Sequence, residues 1–99
     1  MIKKLTDAKE LETLKGKTFL IFSAPWCSSC TMIKPVVADL ADKHPELTVI
    51  TVEVDDFPEL TRQYGVNSIP SYYVFEDNKV VNSGVGFNPL PQLEKLLLG

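Results

Sequence analysis

Cysteine and histidine are scarce in this sequence. Its 99 residues include two cysteines, Cys27 and Cys30, and one histidine, His44. Zinc commonly takes four ligands, often as two such cysteine pairs, so the Cys27–Cys30 pair is half of a conventional site, and two chains could pool their pairs. A disulfide between the two cysteines would close a loop of about four residues and add only ~2 kcal/mol of stability, against ~3 kcal/mol for fifteen residues. The scarcity of ligands predicts no metal site in a single chain. The short loop argues against a purely structural disulfide.

Excess basic charge and long apolar runs are also missing. The net charge is -3 and the pI is near 5.0, whereas a nucleic-acid binder usually carries a basic patch. No apolar run approaches the ~20 residues that span a bilayer. Residues 1–5 lead straight into a polar helix pattern, without the apolar core of a signal peptide. We therefore expect a cytoplasmic monomer whose partners include neither nucleic acid nor membrane.

The composition is that of an ordinary globular protein, with 44% hydrophobic and 23% charged residues. A chain of this length buries ~65% of its unfolded surface, which suffices for one core. We expect one domain over residues 1–99.

Hydrophobic periodicity predicts alternating strands and helices. The run at residues 18–23 is apolar on both faces, as in a central strand covered on both sides. We interpret residues 84–86 as a connection and Asn88 as the N-cap of the last helix. Together these patterns predict an α/β fold with a mixed sheet of four to five strands and helices on both faces. The predicted elements are strands at 2–5, 18–23, 47–54, 71–75 and 79–83, and helices that begin near residues 8, 28, 58 and 89.

The two cysteines lie where the central strand turns into the long helix. The first N–H groups of a helix have no intrahelical partner, and with the macrodipole they favour negative charge. A thiolate at that end has a lowered pKa, and the thiolate is the form that attacks disulfides. Because two residues separate the cysteines, Cys30 falls one turn further on, within disulfide reach of Cys27. These positions predict Cys27 as the nucleophile and Cys30 as the resolving thiol.

Three stretches resemble the thioredoxin family. Residues 24–30 read Ala-Pro-Trp-Cys-Ser-Ser-Cys, with Pro35 five residues after the second cysteine, and this resembles the family's active site. Pro35 also lies inside the predicted helix and should kink its axis. Residues 64–71 resemble the second signature, in which the proline after Ile69 is cis and faces the cysteines. Residues 85–86 resemble the third substrate-facing loop, so the resemblance covers nearly the whole chain and implies a single domain with the thioredoxin fold.

The resemblance implies a thiol–disulfide oxidoreductase. Cys27 would attack a disulfide of a partner protein, and Cys30 would resolve the mixed disulfide and leave the partner reduced. No cofactor is implied beyond the Cys27–Cys30 disulfide, and a thioredoxin reductase or another thiol donor would restore the dithiol. The residues implied to form the substrate groove are Trp26, Ile69, Pro70 and Gly86, with Ser28, Ser29 and Pro35 in support.

The sequence departs from the family pattern near the cysteines. Typical thioredoxins have Gly-Pro between the cysteines, where this chain has Ser28 and Ser29. Serine hydroxyls can donate hydrogen bonds to a thiolate, which stabilises the reduced form, so we predict a reduction potential above that of a Gly-Pro thioredoxin. Ile21 and Thr51 replace a buried aspartate, thought to deprotonate the resolving thiol, and the lysine that often accompanies it. Cys30 must then lose its proton to water or to another group.

Other functions stay open at this point. A glutaredoxin-like enzyme would use glutathione, but the sequence shows no cationic cluster beside the cysteines to bind its carboxylates. An oxidase or isomerase type of exchange would require a more oxidising potential. A non-catalytic binding module would keep its activity after Cys27→Ser, and a metal or iron–sulfur site would require two chains.

Overall fold

The computed structural model describes residues 2–98, which form one five-stranded sheet with helices packed against both of its faces. The elements in chain order are β1 (Ile2–Lys4), a 3-10 helix (Ala8–Thr13), β2 (Lys17–Ser23), α1 (Ser28–Lys43), β3 (Thr48–Glu53), α2 (Pro58–Gln63), β4 (Ser71–Glu76), β5 (Lys79–Val85) and α3 (Leu90–Leu98).

The sheet is mixed, as the element order predicts. Its strand order is β1-β3-β2-β4-β5, and β2 occupies the centre. Strands β1 and β2 both pair with β3 in parallel, whereas β4 runs antiparallel to β2 and β5 runs antiparallel to β4. The turn between β4 and β5 contains Asp77 and Asn78, both at positive φ (48° and 71°), which suits a tight hairpin. The strands predicted at residues 71–75 and 79–83 therefore form a hairpin.

Strand β2 contributes to two hydrophobic cores because successive side chains point to opposite faces of the sheet. Phe19 and Ile21 pack in the core that lies beneath α1 and α3. Leu20 and Phe22 pack on the other face, in the core that includes Leu11 of the 3-10 helix and side chains from and around α2. The prediction that this strand is central and covered on both sides is confirmed.

The structure corrects three details of the sequence interpretation. The helix predicted to begin near residue 8 is a 3-10 helix, and a capping box of Asp7 and Glu10 begins it. Strand β5 continues to Val85, so most of the predicted connection at residues 84–86 is strand. The carbonyl of Pro89 accepts the first hydrogen bonds of α3, while the Asn88 side chain donates to the Tyr72 hydroxyl. Asn88 is therefore not the N-cap, since a tertiary contact takes up its side chain.

Among residues 2–98, the helices fall short of the length and apolar content that a membrane span needs.

Candidate active site

A tight turn connects the end of β2 to the start of α1 and places Cys27 at the helix N-terminus. The Cys27 N–H donates to the carbonyl of Ala24 at 3.2 Å, and the Cys27 carbonyl accepts from Thr31 N–H at 3.1 Å. Cys27 is the N-cap, with extended backbone angles of φ -98° and ψ 115°. Its sulfur takes the position that a serine or aspartate oxygen has in common N-caps, because it accepts from the Cys30 N–H at 3.3 Å.

The surroundings of Cys27 favour its thiolate. Burial by itself raises the pKa of Cys27, but hydrogen bonds from Cys30 and Ser29 outweigh it and hold the pKa below the ordinary value of a cysteine. The Ser29 hydroxyl lies 3.4 Å from Cys27 Sγ. Cys27 is 9% exposed, so only a small part of the residue contacts solvent.

The surroundings of Cys30 favour its protonated thiol. It is 0% exposed, and burial is the largest cause that raises the pKa of its thiol to about 11. Hydrogen bonding to Cys27 and the negative charges of Cys27 and Glu53 raise this pKa further. Both cysteines are free in this structure. Hydrogen bonds at the helix terminus thus lower the pKa of Cys27, whereas burial above all raises that of Cys30, which stays protonated at neutral pH.

Trp26 provides an exposed aromatic surface beside Cys27. The indole is 68% exposed, and its Nε1–H donates to Asp55 Oδ2 at 2.8 Å. Asp55 follows the end of β3, and the pairing of Ser23 with Glu53 brings these two strand ends together. Sequence reasoning missed Asp55. The signal that could have found it is the parallel pairing of β2 and β3, which aligns the residues that follow both strands.

Two further loops approach Cys27. The peptide bond between Ile69 and Pro70 is cis, and the carbonyl of Ile69 lies 3.6 Å from Cys27 Sγ. The N–H of Gly86 donates to the carbonyl of Pro70 at 2.8 Å. Gly86 has φ +80°, a conformation that favours glycine. The structure thus brings Ile69 and Pro70 to the cysteines, as the resemblance implied. A backbone hydrogen bond joins Gly86 to Pro70.

Tyr72 anchors the loop that contains Gly86, and sequence reasoning did not identify it. The side chain is fully buried and stacks on Phe19 with ring centroids 5.4 Å apart. Its hydroxyl donates to the carbonyl of Gly86 at 3.0 Å and accepts from Asn88. Burial raises the pKa of Tyr72, so the hydroxyl keeps the proton that it donates to the loop.

The remaining predicted residues, Ser28 and Pro35, lie in α1. Ser28 is exposed in the first turn of α1, and among residues 2–98 its hydroxyl makes no hydrogen bond to Cys27. Pro35 is exposed and lies within α1, which continues to Lys43. The kink at Pro35 stays a prediction.

A cavity of about 310 Å³ lies beside Cys30, between α1 and the sheet. The apolar side chains of Ile21 and Val37 form part of its wall, while Ser23, Thr51 and Glu53 add polar atoms. In the part of the chain that the structure describes, no group of three or more His, Cys, Asp or Glu side chains could hold a metal ion. The full lining consists of Ile2, Ile21, Ser23, Cys30, Lys34, Val37, Thr51 and Glu53.

The fold and the cysteine pair define a class of protein, the thiol–disulfide oxidoreductases with a mixed sheet and a dithiol at a helix N-terminus. Comparisons with known proteins agree with that class. The family model described as Thioredoxin matches residues 2–98. A thioredoxin of Bacillus subtilis is 39% identical, over 97% of this chain and 94% of its own length. A thioredoxin of Listeria monocytogenes is 34% identical, over 98% and 96%.

A solved structure extends the agreement to the fold. Mitochondrial thioredoxin 3 of Saccharomyces cerevisiae, in its oxidised form, superposes with a TM-score of 0.86 at 26% identity, over 96% of this chain and 92% of that chain. The chain belongs to the thioredoxin family and has the thioredoxin fold. It is a thiol–disulfide oxidoreductase. Members of this family act on disulfide substrates, are reduced by thioredoxin reductase and use no cofactor beyond their redox-active cysteines.

Proposed function

We propose that Cys27 and Cys30 are the redox-active pair with which this protein reduces disulfides in partner proteins. The observation that carries the proposal is the difference between the two thiols. Cys27 is the helix N-cap with a lowered pKa, whereas the pKa of buried Cys30 is raised to about 11. A low pKa suits the attacking thiol, and a protonated neighbour does not compete for the substrate.

The exchange proceeds through a mixed disulfide. The Cys27 thiolate attacks a sulfur of the substrate disulfide, which forms one S–S bond and releases the other substrate sulfur as a thiolate. Cys30 then attacks Cys27 Sγ, which forms the Cys27–Cys30 disulfide and releases the second substrate sulfur. The substrate gains two electrons and this protein loses two. A thioredoxin reductase, or another thiol donor, restores the dithiol.

The substrate chain binds in the groove that Trp26, Ile69, Pro70 and Gly86 form beside Cys27. Three observations support this assignment. The Trp26 indole is largely exposed, the Ile69 carbonyl lies 3.6 Å from Cys27 Sγ, and Gly86 is held against Pro70 by a backbone hydrogen bond. Backbone groups next to Pro70 pair with the substrate as an added strand, a common way to bind an extended peptide.

The Ser28–Ser29 pair of the Trp-Cys-Ser-Ser-Cys site makes this protein a weaker reductant than a Gly-Pro thioredoxin. The support is the Ser29 hydroxyl at 3.4 Å from Cys27 Sγ, since a donor to the thiolate stabilises the reduced form. We further propose that the protein acts as a monomeric domain in the cytoplasm, where thiol pools keep such dithiols reduced.

The test is disulfide reduction with cysteine variants. Wild-type protein and the exposed-surface control Glu59→Gln should reduce insulin disulfides at similar rates when dithiothreitol supplies electrons. Cys27→Ser should be inactive, and Cys30→Ser should accumulate a mixed disulfide through Cys27 that mass spectrometry detects. If Cys27→Ser keeps full activity, the exchange mechanism through Cys27 is wrong; if the wild-type protein does not reduce insulin, a binding role takes its place.

A further inference from the structure

Cys30 must lose a proton before or during its attack on the mixed disulfide. Its side chain is 0% exposed, and burial helps to raise its pKa to about 11. At neutral pH the thiol is therefore almost entirely protonated, and the side chain has no contact with bulk water. Resolution at a useful rate calls for a proton acceptor that reaches Cys30 from inside the protein.

The cavity beneath α1 is the route that the structure offers. Cys30 is part of its wall, and Glu53 is the carboxylate that lines it. Its volume, about 310 Å³, exceeds the ~30 Å³ that one water molecule takes up in the liquid. Ser23, Thr51 and Glu53 supply the polar partners that a water molecule needs to stay in such a space.

The strand register explains why Glu53 faces this cavity. Glu53 pairs with Ser23 at the ends of β3 and β2, and side chains two residues apart in a strand lie on the same face. Val49, on the same face as Glu53, packs in the core beneath α1. Glu53 and Cys30 both line the cavity, and the negative charge of Glu53 raises the pKa of Cys30.

The other charged group at the cavity is Lys34 of α1, which is exposed. The β1 and β2 residues of the wall are Ile2, Ile21 and Ser23, none of which titrates near neutral pH. Glu53 is therefore the one base among the described residues that line the cavity.

We propose that Glu53 is the proton acceptor for Cys30 during resolution, through water in this cavity; this proposal rests on the roles of Cys27 and Cys30 proposed above. Cys30 Sγ forms a bond to Cys27 Sγ while the bond from Cys27 to the substrate sulfur breaks, and the electron pair leaves with the substrate sulfur. The Cys30 proton passes to the Glu53 carboxylate and then, through the open side of the cavity, to solvent or to the departing thiolate.

The charge of Glu53 has two opposite consequences, which makes the proposal testable. As a fixed negative charge it opposes a free Cys30 thiolate, because two anions would then lie close together. As an acceptor it becomes neutral when it takes the proton, so one negative charge remains and that penalty disappears. If Glu53 acts only through its charge, its removal speeds resolution; if it acts as the acceptor, its removal slows resolution.

The experiment separates the two thiol steps with Ellman's reagent, 5,5′-dithiobis(2-nitrobenzoate), in a stopped-flow instrument. Attack by Cys27 releases a first coloured thiolate, and attack by Cys30 on the mixed disulfide releases a second. Glu53→Gln should slow the second release about 100-fold, within the range of general base catalysis, and leave the first release unchanged. The matched control is Glu59→Gln, which removes the same charge from an exposed position of α2 and should change neither step.

Two further readouts distinguish proton transfer from a structural role. The second release of Glu53→Gln should rise about tenfold per pH unit, since the thiolate fraction of a group below its pKa follows pH in this way, whereas the wild-type rate should depend less on pH. In Glu53→Ala, added formate should restore the second release in proportion to its concentration.

A second release that is unchanged or faster in Glu53→Gln, or that formate does not accelerate in Glu53→Ala, would overturn the proposal. A wild-type protein that gives no second release would instead contradict the proposed function itself.

Discussion

Replacing Ser29 with alanine tests how the Ser28–Ser29 pair controls the nucleophile. The Ser29 hydroxyl lies 3.4 Å from Cys27 Sγ and is one of the groups that lower the pKa of Cys27. A hydrogen bond to a charged group contributes about 1.5 kcal/mol at the lower end of its range, and one pKa unit corresponds to about 1.4 kcal/mol. Ser29→Ala should therefore raise the pKa of Cys27 by about one unit.

The same change should make the protein a stronger reductant. Loss of a donor destabilises the thiolate of the reduced form and leaves the disulfide form unaffected. For this two-electron couple, 1.4 kcal/mol corresponds to about 30 mV. The full decrease in reduction potential should appear only above the pKa of Cys27, because below it the reduced form is mostly the neutral thiol.

The assay for Ser29→Ala is the rate of alkylation by iodoacetamide as a function of pH, with redox titration in dithiothreitol buffers as the second measurement. Cys30 does not interfere, since its pKa is about 11. Ser28→Ala is the matched control, because it removes the neighbouring hydroxyl, which among residues 2–98 makes no hydrogen bond to Cys27. Equal shifts in the two variants, or no shift in Ser29→Ala, would refute the assignment of this effect to the Ser29 hydroxyl.

Two further predictions concern stability. Gly84→Ala should lower the free energy of unfolding by about 1–3 kcal/mol, the usual cost of overpacking, because the new Cβ would lie 2.5 Å from a ring carbon of the buried Tyr72. Urea unfolding measures it, with the exposed Ser83→Ala as control, and equal stability of the two variants contradicts the packing argument. Glu10→Gln should destabilise the protein at neutral pH, since hydrogen bonds from Lys3 and the Thr6–Asp7 segment hold the pKa of Glu10 at about 2. A lowered pKa stabilises the fold above the ordinary value of 4.5, so the difference from wild type should vanish as pH falls from there to about 2; a difference that persists in acid would be inconsistent with it.

The placement of the cysteines could be predicted from sequence because each local signal agrees with the others. An apolar run followed by a helical pattern fixes where β2 ends and α1 begins, and the Cys-x-x-Cys spacing then decides which thiol occupies the helix end. The assignment of Ile69 and Pro70 rests on their resemblance to a family signature. Their approach to Cys27 is a contact between distant segments, on which the local pattern gives no information.

The residues that were missed all depend on pairing between strands. Asp55 reaches Trp26 only because β2 and β3 end side by side. Tyr72 lies opposite Gly84 across the β4–β5 pair, and its hydroxyl uses the Asn88 side chain that sequence reasoning assigned to a helix cap. A polar side chain near a helix start suits a cap and a tertiary contact equally well, so the strand register decides between them.

The strand register determines which strand supplies the carboxylate beside Cys30. Ile21 is apolar and lies in the core, so the central strand offers no base to the buried thiol. The adjacent strand β3 runs parallel to β2 and carries Glu53 at the level of Ser23, on the face that α1 covers. The small Ser23 side chain leaves space there, and a carboxylate on β3 then shares a cavity with Cys30. If resolution in this protein proves to be independent of Glu53, Cys30 must ionise without a base from the sheet, and its raised pKa would make resolution the slow step of the exchange.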